Sequence, residues 1–119
     1  MHSDDYTERE RQKEYEFLKT HIFNSLINLN DGFDSETIFY FSAEDFEIVL
    51  NRVEAKGLMI YGIEPWLNSE FCDVLVYEDY NTEASDPVWY RNAFEVFKNR
   101  QKGLLYSASY GVPYKLLSI

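Results

Sequence analysis

The middle of this chain has no basic residues. No lysine or arginine occurs between Gly57 and Tyr90, whereas the same segment contains seven acidic residues: Glu64, Glu70, Asp73, Glu78, Asp79, Glu83 and Asp86. It is also rich in aromatic residues, namely Tyr61, Trp66, Phe71, Tyr77, Tyr80, Trp89 and Tyr90. Such a segment cannot neutralise its own charge. It either borrows cations from the rest of the fold or presents a negative surface bordered by aromatic rings.

Other absences exclude whole classes of function. The formal net charge is −10, from 21 acidic and 11 basic residues, so the chain lacks the basic stripe of a nucleic-acid binder and is repelled by anionic membranes. We therefore expect neither nucleic acid nor membrane as a direct partner. No apolar run reaches the length of about 20 residues that spans a bilayer. The N-terminus has no apolar signal region, and the single cysteine, Cys72, cannot form an internal disulfide. These features predict a cytoplasmic protein.

The sequence also has few residues suited to catalysis or to metal binding. Its two histidines, His2 and His21, have no nucleophile or metal ligand at a suitable spacing. Cys72 has no nearby base, and we predict that it is a buried strand residue. A glycine-rich phosphate loop, a CxxC pair and an HExxH motif are all missing. Asp31, Asp34 and Glu36 match the calcium-binding loop only in part. We therefore predict a non-enzymatic protein without a cofactor or metal.

Helical periodicity is clear in three segments of what we expect to be a single domain over residues 1–119, with residues 1–6 frayed. The first helix is predicted to begin at a Thr7–Glu10 capping box and to end at Asn30-Asp31-Gly32. Its apolar face comprises Tyr15, Leu18, Ile22, Leu26 and Leu29. The second helix is predicted between Ser42 and Gly57, with Phe46, Val49, Leu50 and Val53 buried. The third is predicted to begin at Asp86-Pro87, with Trp89, Ala93, Val96 and Phe97 buried.

Four segments have the residue pattern of β-strands: residues 37–41, residues 58–63 closed by Pro65, residues 71–77 and residues 104–110. The Asn68-Ser69 region is predicted to turn the chain, and the tail from Tyr114 is expected to be a short strand or a packed end. Alternation predicts that Phe39 and Phe41 share one face with Tyr40 on the other. It also predicts that Cys72, Val74 and Val76 face the core.

The element order is a helix followed by β-α-β-β-α-β. It predicts an α+β fold with a ferredoxin-like antiparallel sheet and helices on one face, and a mixed sheet of another topology is the alternative. The second face of the sheet is then either covered by the first helix or left open for a partner.

The acidic and aromatic residues of the base-free segment suggest a binding surface for a basic protein. Carboxylates bind guanidinium groups through paired hydrogen bonds, and aromatic rings stack against cations. We expect the partner-binding residues to be Tyr61, Glu64, Trp66, Glu70, Asp73, Tyr77, Glu78, Asp79 and Tyr80.

In size, acidity and crowding of aromatic and acidic residues, the chain resembles small acidic bacterial immunity and inhibitor proteins that neutralise toxins. This resemblance implies a basic toxin or nuclease domain as the partner. Two alternatives remain open at this stage. One is a nucleic-acid mimic that inhibits a DNA-binding protein. The other is a small enzyme or ligand-binding domain with a pocket lined by Trp66, Trp89 and tyrosines around Asp73 or Glu64. An exposed edge strand also leaves a homodimer possible.

Overall fold

A computed structural model describes residues 3–68 and 70–117 of the chain, with side chains described from Glu8 onward. Its helices are α1 (Ser3–His21), α2 (Ala43–Lys56), α3 (Pro87–Arg100) and α4 (Tyr114–Leu117). Its strands are β1 (Met59–Leu67), β2 (Glu70–Phe71), β3 (Leu75–Val76) and β4 (Leu105–Gly111), with a 3-10 helix at Tyr77–Tyr80 between β3 and α3. None of the helices in these ranges is long and apolar enough to cross a membrane. The α+β class is confirmed.

The predicted starts of α2 and α3 are confirmed by their caps. The Ser42 hydroxyl accepts a hydrogen bond from the amide of Asp45, and the Asp86 carboxylate accepts one from the amide of Val88. Pro87 occupies the first turn of α3, where its missing N–H costs nothing. Gly57 ends α2 in the left-handed conformation, at φ 68°, and its amide bonds to carbonyls of the last turn.

The first helix differs from its prediction at both ends. It already begins at Ser3, so Thr7 lies inside it and is not a cap; residues 1–2 of the predicted frayed end lie outside the described part. It stops at His21, although apolar residues recur at helical spacing as far as Leu29. The cause is tertiary: Arg52 of α2 donates from Nη1 to the carbonyl oxygens of Ile22 and Asn24, at 2.9 Å and 2.7 Å. These bonds satisfy carbonyls at the helix end and turn the chain away.

An antiparallel four-stranded sheet forms around β1, its central strand. Strand β4 runs along one edge of β1 for almost its whole length. Strands β2 and β3 pair with the other edge of β1 as two short pieces of one returning strand. On the far side of β4, Phe41 pairs with Tyr106 through an isolated bridge.

The ferredoxin-like topology is not confirmed. The predicted strand at residues 37–41 contributes only the Phe41 bridge, and β1 pairs with β2, β3 and β4. The prediction that Pro65 ends its strand is wrong, because Pro65 lies inside β1 opposite Tyr106. The Pro65 carbonyl accepts a hydrogen bond from the Cys72 amide at 3.0 Å, so the backbone of Pro65 points to the edge of β1 that faces β2, not to the edge that faces β4. The missing N–H of Pro65 therefore removes no hydrogen bond between β1 and β4.

One hydrophobic core lies between the sheet and the helices. It contains the predicted apolar face of α2, the buried face of α3, Leu18 of α1, Ile22 just after that helix, and Ile60 and Ile63 of β1. In α3, Val96 is exposed, contrary to the prediction, and Tyr90 and Phe94 are buried instead. Because α1 contributes to this same core, it does not cover the second face of the sheet.

The predicted orientation of the third strand is wrong. Leu75 packs against the core, whereas Cys72 and Val74 are exposed. The register explains the reversal of Val74 and Leu75, since the pairing of β1 with β2 and its pairing with β3 are offset by one residue. An offset of one residue turns every following side chain to the opposite face.

Candidate binding surface on the sheet

The side of the sheet away from α2 and α3 forms the candidate site, and we call it the open face. Register and alternation place on it Tyr61, Gly62, Glu64, Trp66, Phe71, Val74 and Val76. Phe71 is 52% exposed, and Tyr61 and Val74 are each 41% exposed. Apolar side chains this accessible on one face of a sheet are typical of a surface that binds another molecule.

A loop covers one end of the open face. Asn30 organises this loop, because its side-chain amide donates to the carbonyls of Ser35 and Ile38 and its Oδ1 accepts from the amide of Gly32. The ring of Phe33 lies 4.7 Å from that of Tyr40 and 5.6 Å from that of Trp66, measured between centroids. The loop thus buries Tyr40 and part of Trp66, while Phe71, 6.0 Å from Trp66, stays at the border.

Two carboxyl groups meet at the border of the covered end. The Tyr40 hydroxyl donates a hydrogen bond to Asp34, and this bond, together with one from the Ser35 amide, lowers the pKa of Asp34. Burial, and then the charge of Asp34, raises the pKa of Glu64. Glu64 is therefore a half-buried carboxylate that forms no ion pair within residues 3–68 and 70–117. Its negative charge is poorly solvated, so a cation brought by another molecule would stabilise it.

The opposite end of the open face carries two tyrosines. The register of β1 against β4 shifts between Ile60 and Gly62, which makes Tyr61 the extra residue of a bulge. The Tyr61 ring lies over Gly111, so close that a Cβ atom built there would sit 2.8 Å from Tyr61 Cζ. Tyr77 approaches the same ring edge-on, with centroids 6.2 Å apart. The absence of a side chain at Gly111 thus allows Tyr61 to lie along the sheet.

The charge of the base-free segment is left almost unneutralised. Of its seven acidic residues only Asp73 forms an ion pair within the described chain, with Arg100 at 2.9 Å, so six have no cationic partner there. The other arginines of α2 and α3 are used elsewhere. Arg52 binds the carbonyls after α1, and Arg91 pairs with Glu54 at 2.8 Å.

The remaining predicted partner-binding residues lie outside the open face. Asp73, paired with Arg100, lies on the helix-covered side of the sheet, and the ring of Tyr80 packs against that of Trp89 at 5.7 Å. Glu70 is exposed on β2 beside Phe71, and Glu78 is exposed on the 3-10 helix. The Asp79 carboxylate accepts a bond from the amide of Val76 at 3.0 Å. The structure therefore brings together Glu64 with Trp66 and Tyr61 with Tyr77, and it places the exposed Glu70 next to Phe71.

Sequence reasoning missed Asp34 and Phe33 as neighbours of the open face. Their contact with it depends on the loop around Asn30, which the sequence suggested was only the end of a helix. A signal was present, because asparagines at positions 28 and 30 precede Asp31-Gly32, and such residues bond to nearby backbone and favour turns. That signal indicates a compact loop but not the sheet residues that it covers.

The pocket imagined for a small enzyme does not form around the two tryptophans. Trp66 lies on the open face, whereas Trp89 is buried on the helix side and donates from Nε1 to the carbonyl of Ala84 at 3.3 Å. A hollow of about 210 Å³ beside Asp73 lies on that same side, lined in part by Arg100 and Cys72. Within residues 3–68 and 70–117, no group of three or more His, Cys, Asp or Glu side chains is placed to hold a metal ion.

The chain matches no known family model, no curated protein and no solved structure. What it binds must therefore be inferred from its own surface. That surface combines an accessible sheet face, aromatic rings at both of its ends, and carboxylates that the chain does not neutralise.

Proposed function

We propose that this domain binds a basic protein through the open face and its acidic border, and that it acts as an inhibitor of the immunity or antitoxin type. The observation that carries the proposal is the charge left over in the fold: six acidic residues of one segment have no cationic partner within the described chain. Unpaired carboxylates of one sign attract an oppositely charged partner from a distance. The six acidic residues lie in one segment of the chain, which includes β1, β2 and β3, so we infer that the basic partner is attracted towards the sheet.

The aromatic residues supply the contact area that charge alone does not. Phe71 and Tyr61 are accessible, and large rings dominate the energy of protein interfaces once they are desolvated. Glu64 lies between them beside Trp66, with its pKa raised by burial. A guanidinium or ammonium group placed against Glu64 and the Trp66 ring would gain both an ion pair and a stacking contact. We infer that a basic side chain of the partner occupies this position.

The test uses the protein encoded beside this gene, since an inhibitor and its target are commonly produced together. We expect it to be basic, to bind with a dissociation constant that rises steeply between about 0.05 M and 0.5 M salt, and to lose its own activity on binding. Isothermal titration calorimetry measures the affinity, and co-expression measures protection of the host. An acidic or neutral neighbour that does not bind, or binding indifferent to salt, contradicts the proposal. Binding without loss of the neighbour's activity contradicts the inhibitor role alone.

Matched variants locate the interface. Phe71→Ala and Glu64→Gln should each weaken binding about tenfold, since each removes one central contact. Tyr114→Ala and Glu47→Gln are the controls, because Tyr114 on α4 is also exposed and Glu47 is an exposed acid on α2. Both controls should bind like the unchanged protein. Equal losses from the controls would place the interface elsewhere. Competition between the partner and DNA for the same site would favour the nucleic-acid mimic.

A further inference from the structure

A second surface of the domain carries basic residues, in contrast to the acidic base-free segment. A groove of about 920 Å³ runs between α1, the end of α2 and α4. Its apolar floor is formed by Phe17, Leu116 and Leu117, all half-buried, and its rim carries Lys13, Lys56 and Lys115. Three of the 11 basic residues of a chain with net charge −10 therefore line one groove, and they come from three different helices.

The carboxylates near this groove are already used. Glu16, which also lines it, bonds to Lys19 at 3.5 Å and accepts from Gln12 at 2.8 Å. Glu14 accepts a bond from the amide of Val112 at 2.9 Å, which fixes α1 against the segment that leads into α4. By contrast, Lys13 and Lys56 have no carboxylate partner within the described residues. Lys13 and Lys56 thus lie on the rim without a carboxylate partner, and Glu16, the carboxylate that lines the groove among the described residues, is already engaged.

We propose that this groove binds an acidic amphipathic peptide segment of another protein. An apolar floor between helices is the form of site that accepts the apolar face of a helix, and lysines on either side match acidic residues that flank such a face. The side of the groove formed by residues 12–21 of α1 is about 14 Å long, which corresponds to between two and three turns of a bound helix. The surface is separate from the open face and has the opposite charge, so one domain would hold a basic and an acidic protein at once.

The test measures fluorescence anisotropy of a labelled synthetic peptide of about 14 residues, with leucine at positions i, i+3, i+4 and i+7 and glutamate at flanking positions. We expect saturable binding to the full chain that weakens about tenfold in the double variant Lys13→Glu/Lys56→Glu. Lys102→Glu is the matched control, because Lys102 also forms no ion pair with a described residue but lies outside the groove, and it should change the affinity less than about twofold. Thermal unfolding of each variant checks that the fold is kept.

Three results would overturn the proposal. They are equal binding of a peptide in which the leucines are scrambled off one face, unchanged affinity in the double variant, and an equal loss in the Lys102 control. Occupation by a second copy would appear as concentration-dependent association in sedimentation that the double variant abolishes. In that case the groove would bind the acidic surface of a second copy of this chain, and not an acidic peptide of another protein. Neither experiment uses the open face, so failure here leaves the proposed inhibitor function to its own test.

Discussion

The two faces of β1 use the same strand in different ways. Ile60 and Ile63 point towards α2 and α3, are fully buried, and belong to the hydrophobic core. Tyr61, Glu64 and Trp66 point to the open face, where they remain accessible to different degrees and carry charge or polar atoms. The face with Ile60 and Ile63 stabilises the fold by packing in the core. The open face contributes less to the core, so its accessible side chains can contact another molecule. Substitutions on the two faces should therefore separate stability from binding.

The largest contrast is expected between two phenylalanines. Phe46 is fully buried and stacks on Tyr106 with centroids 5.3 Å apart, so Phe46→Ala should destabilise the protein by about 3–5 kcal/mol. Phe71→Ala on the open face should cost less than about 1 kcal/mol, since that ring is already half in water. Urea unfolding at neutral pH measures both values. Similar losses for the two variants would show that the open face belongs to the core after all.

The covering loop gives a second, pH-dependent contrast. Tyr40→Phe removes the hydroxyl that donates to Asp34 and should lower the unfolding midpoint at neutral pH, by less than Phe46→Ala does. The pKa of Asp34 is lowered in the fold by this bond, so its stabilisation is present above the ordinary carboxyl pKa and is lost as the pH falls through the lowered value. The difference in unfolding midpoint between the unchanged protein and Tyr40→Phe should therefore disappear as the pH is lowered. A gap that stays constant down to acid pH would mean that the hydroxyl acts by packing alone.

The bulge offers a test of how the open face is shaped. A methyl group at Gly111 would collide with the Tyr61 ring, which is the end of an accessible side chain and can move aside. Gly111→Ala should therefore cost only about 1 kcal/mol, at the low end for overpacking. The loss should largely vanish when the substitution is made in a Tyr61→Ala background, which a double-mutant cycle measures. A full loss in both backgrounds would place the strain in the backbone and not in the ring contact.

The smallest effect is expected at Glu64, and its sign is informative. The pKa of this carboxyl is raised by burial, so the ionised form disfavours the fold at neutral pH, and the penalty disappears as the pH falls below the ordinary carboxyl pKa. Glu64→Gln should therefore raise stability at neutral pH, by less than about 1 kcal/mol because water still reaches the group. The same substitution should weaken binding of the basic partner. A loss of stability at neutral pH would mean that Glu64 serves the fold and not recognition.

Local signals predicted the elements whose ends are set by neighbouring residues. Ser42, Gly57, Asp86 and Pro87 act within a few residues of themselves, and both ends of α2 and the start of α3 are as predicted. The opposite orientation of Tyr40 from its two phenylalanine neighbours is also confirmed, because alternation holds even where only one bridge forms. For the candidate site, the sequence indicated Tyr61, Glu64 and Trp66 but not the surface that unites them with Phe71.

The predictions that were wrong concern contacts between distant parts of the chain. The end of α1 depends on Arg52, which lies 30 residues beyond Ile22. The reversed orientation of Val74 and Leu75 depends on a one-residue offset between two strand pairings. Sequence periodicity predicts neither feature. A hydrophobic pattern shows which residues could be buried together, but not which of them the tertiary fold buries.

The amino-acid sequence by itself determined the charge of the middle segment, the capped helices α2 and α3, and the apolar residues available for a core. These follow from composition and from interactions over a few residues. Only the tertiary structure decided that Arg52 and Arg91 bind carbonyls and a glutamate outside the base-free segment, that α1 packs into the same core as α2, and that a loop covers one end of the open face. The physical reason is that the groups that neutralise a charge or cover a face are the ones that the fold brings close in space. Proximity along the chain does not determine which groups these are.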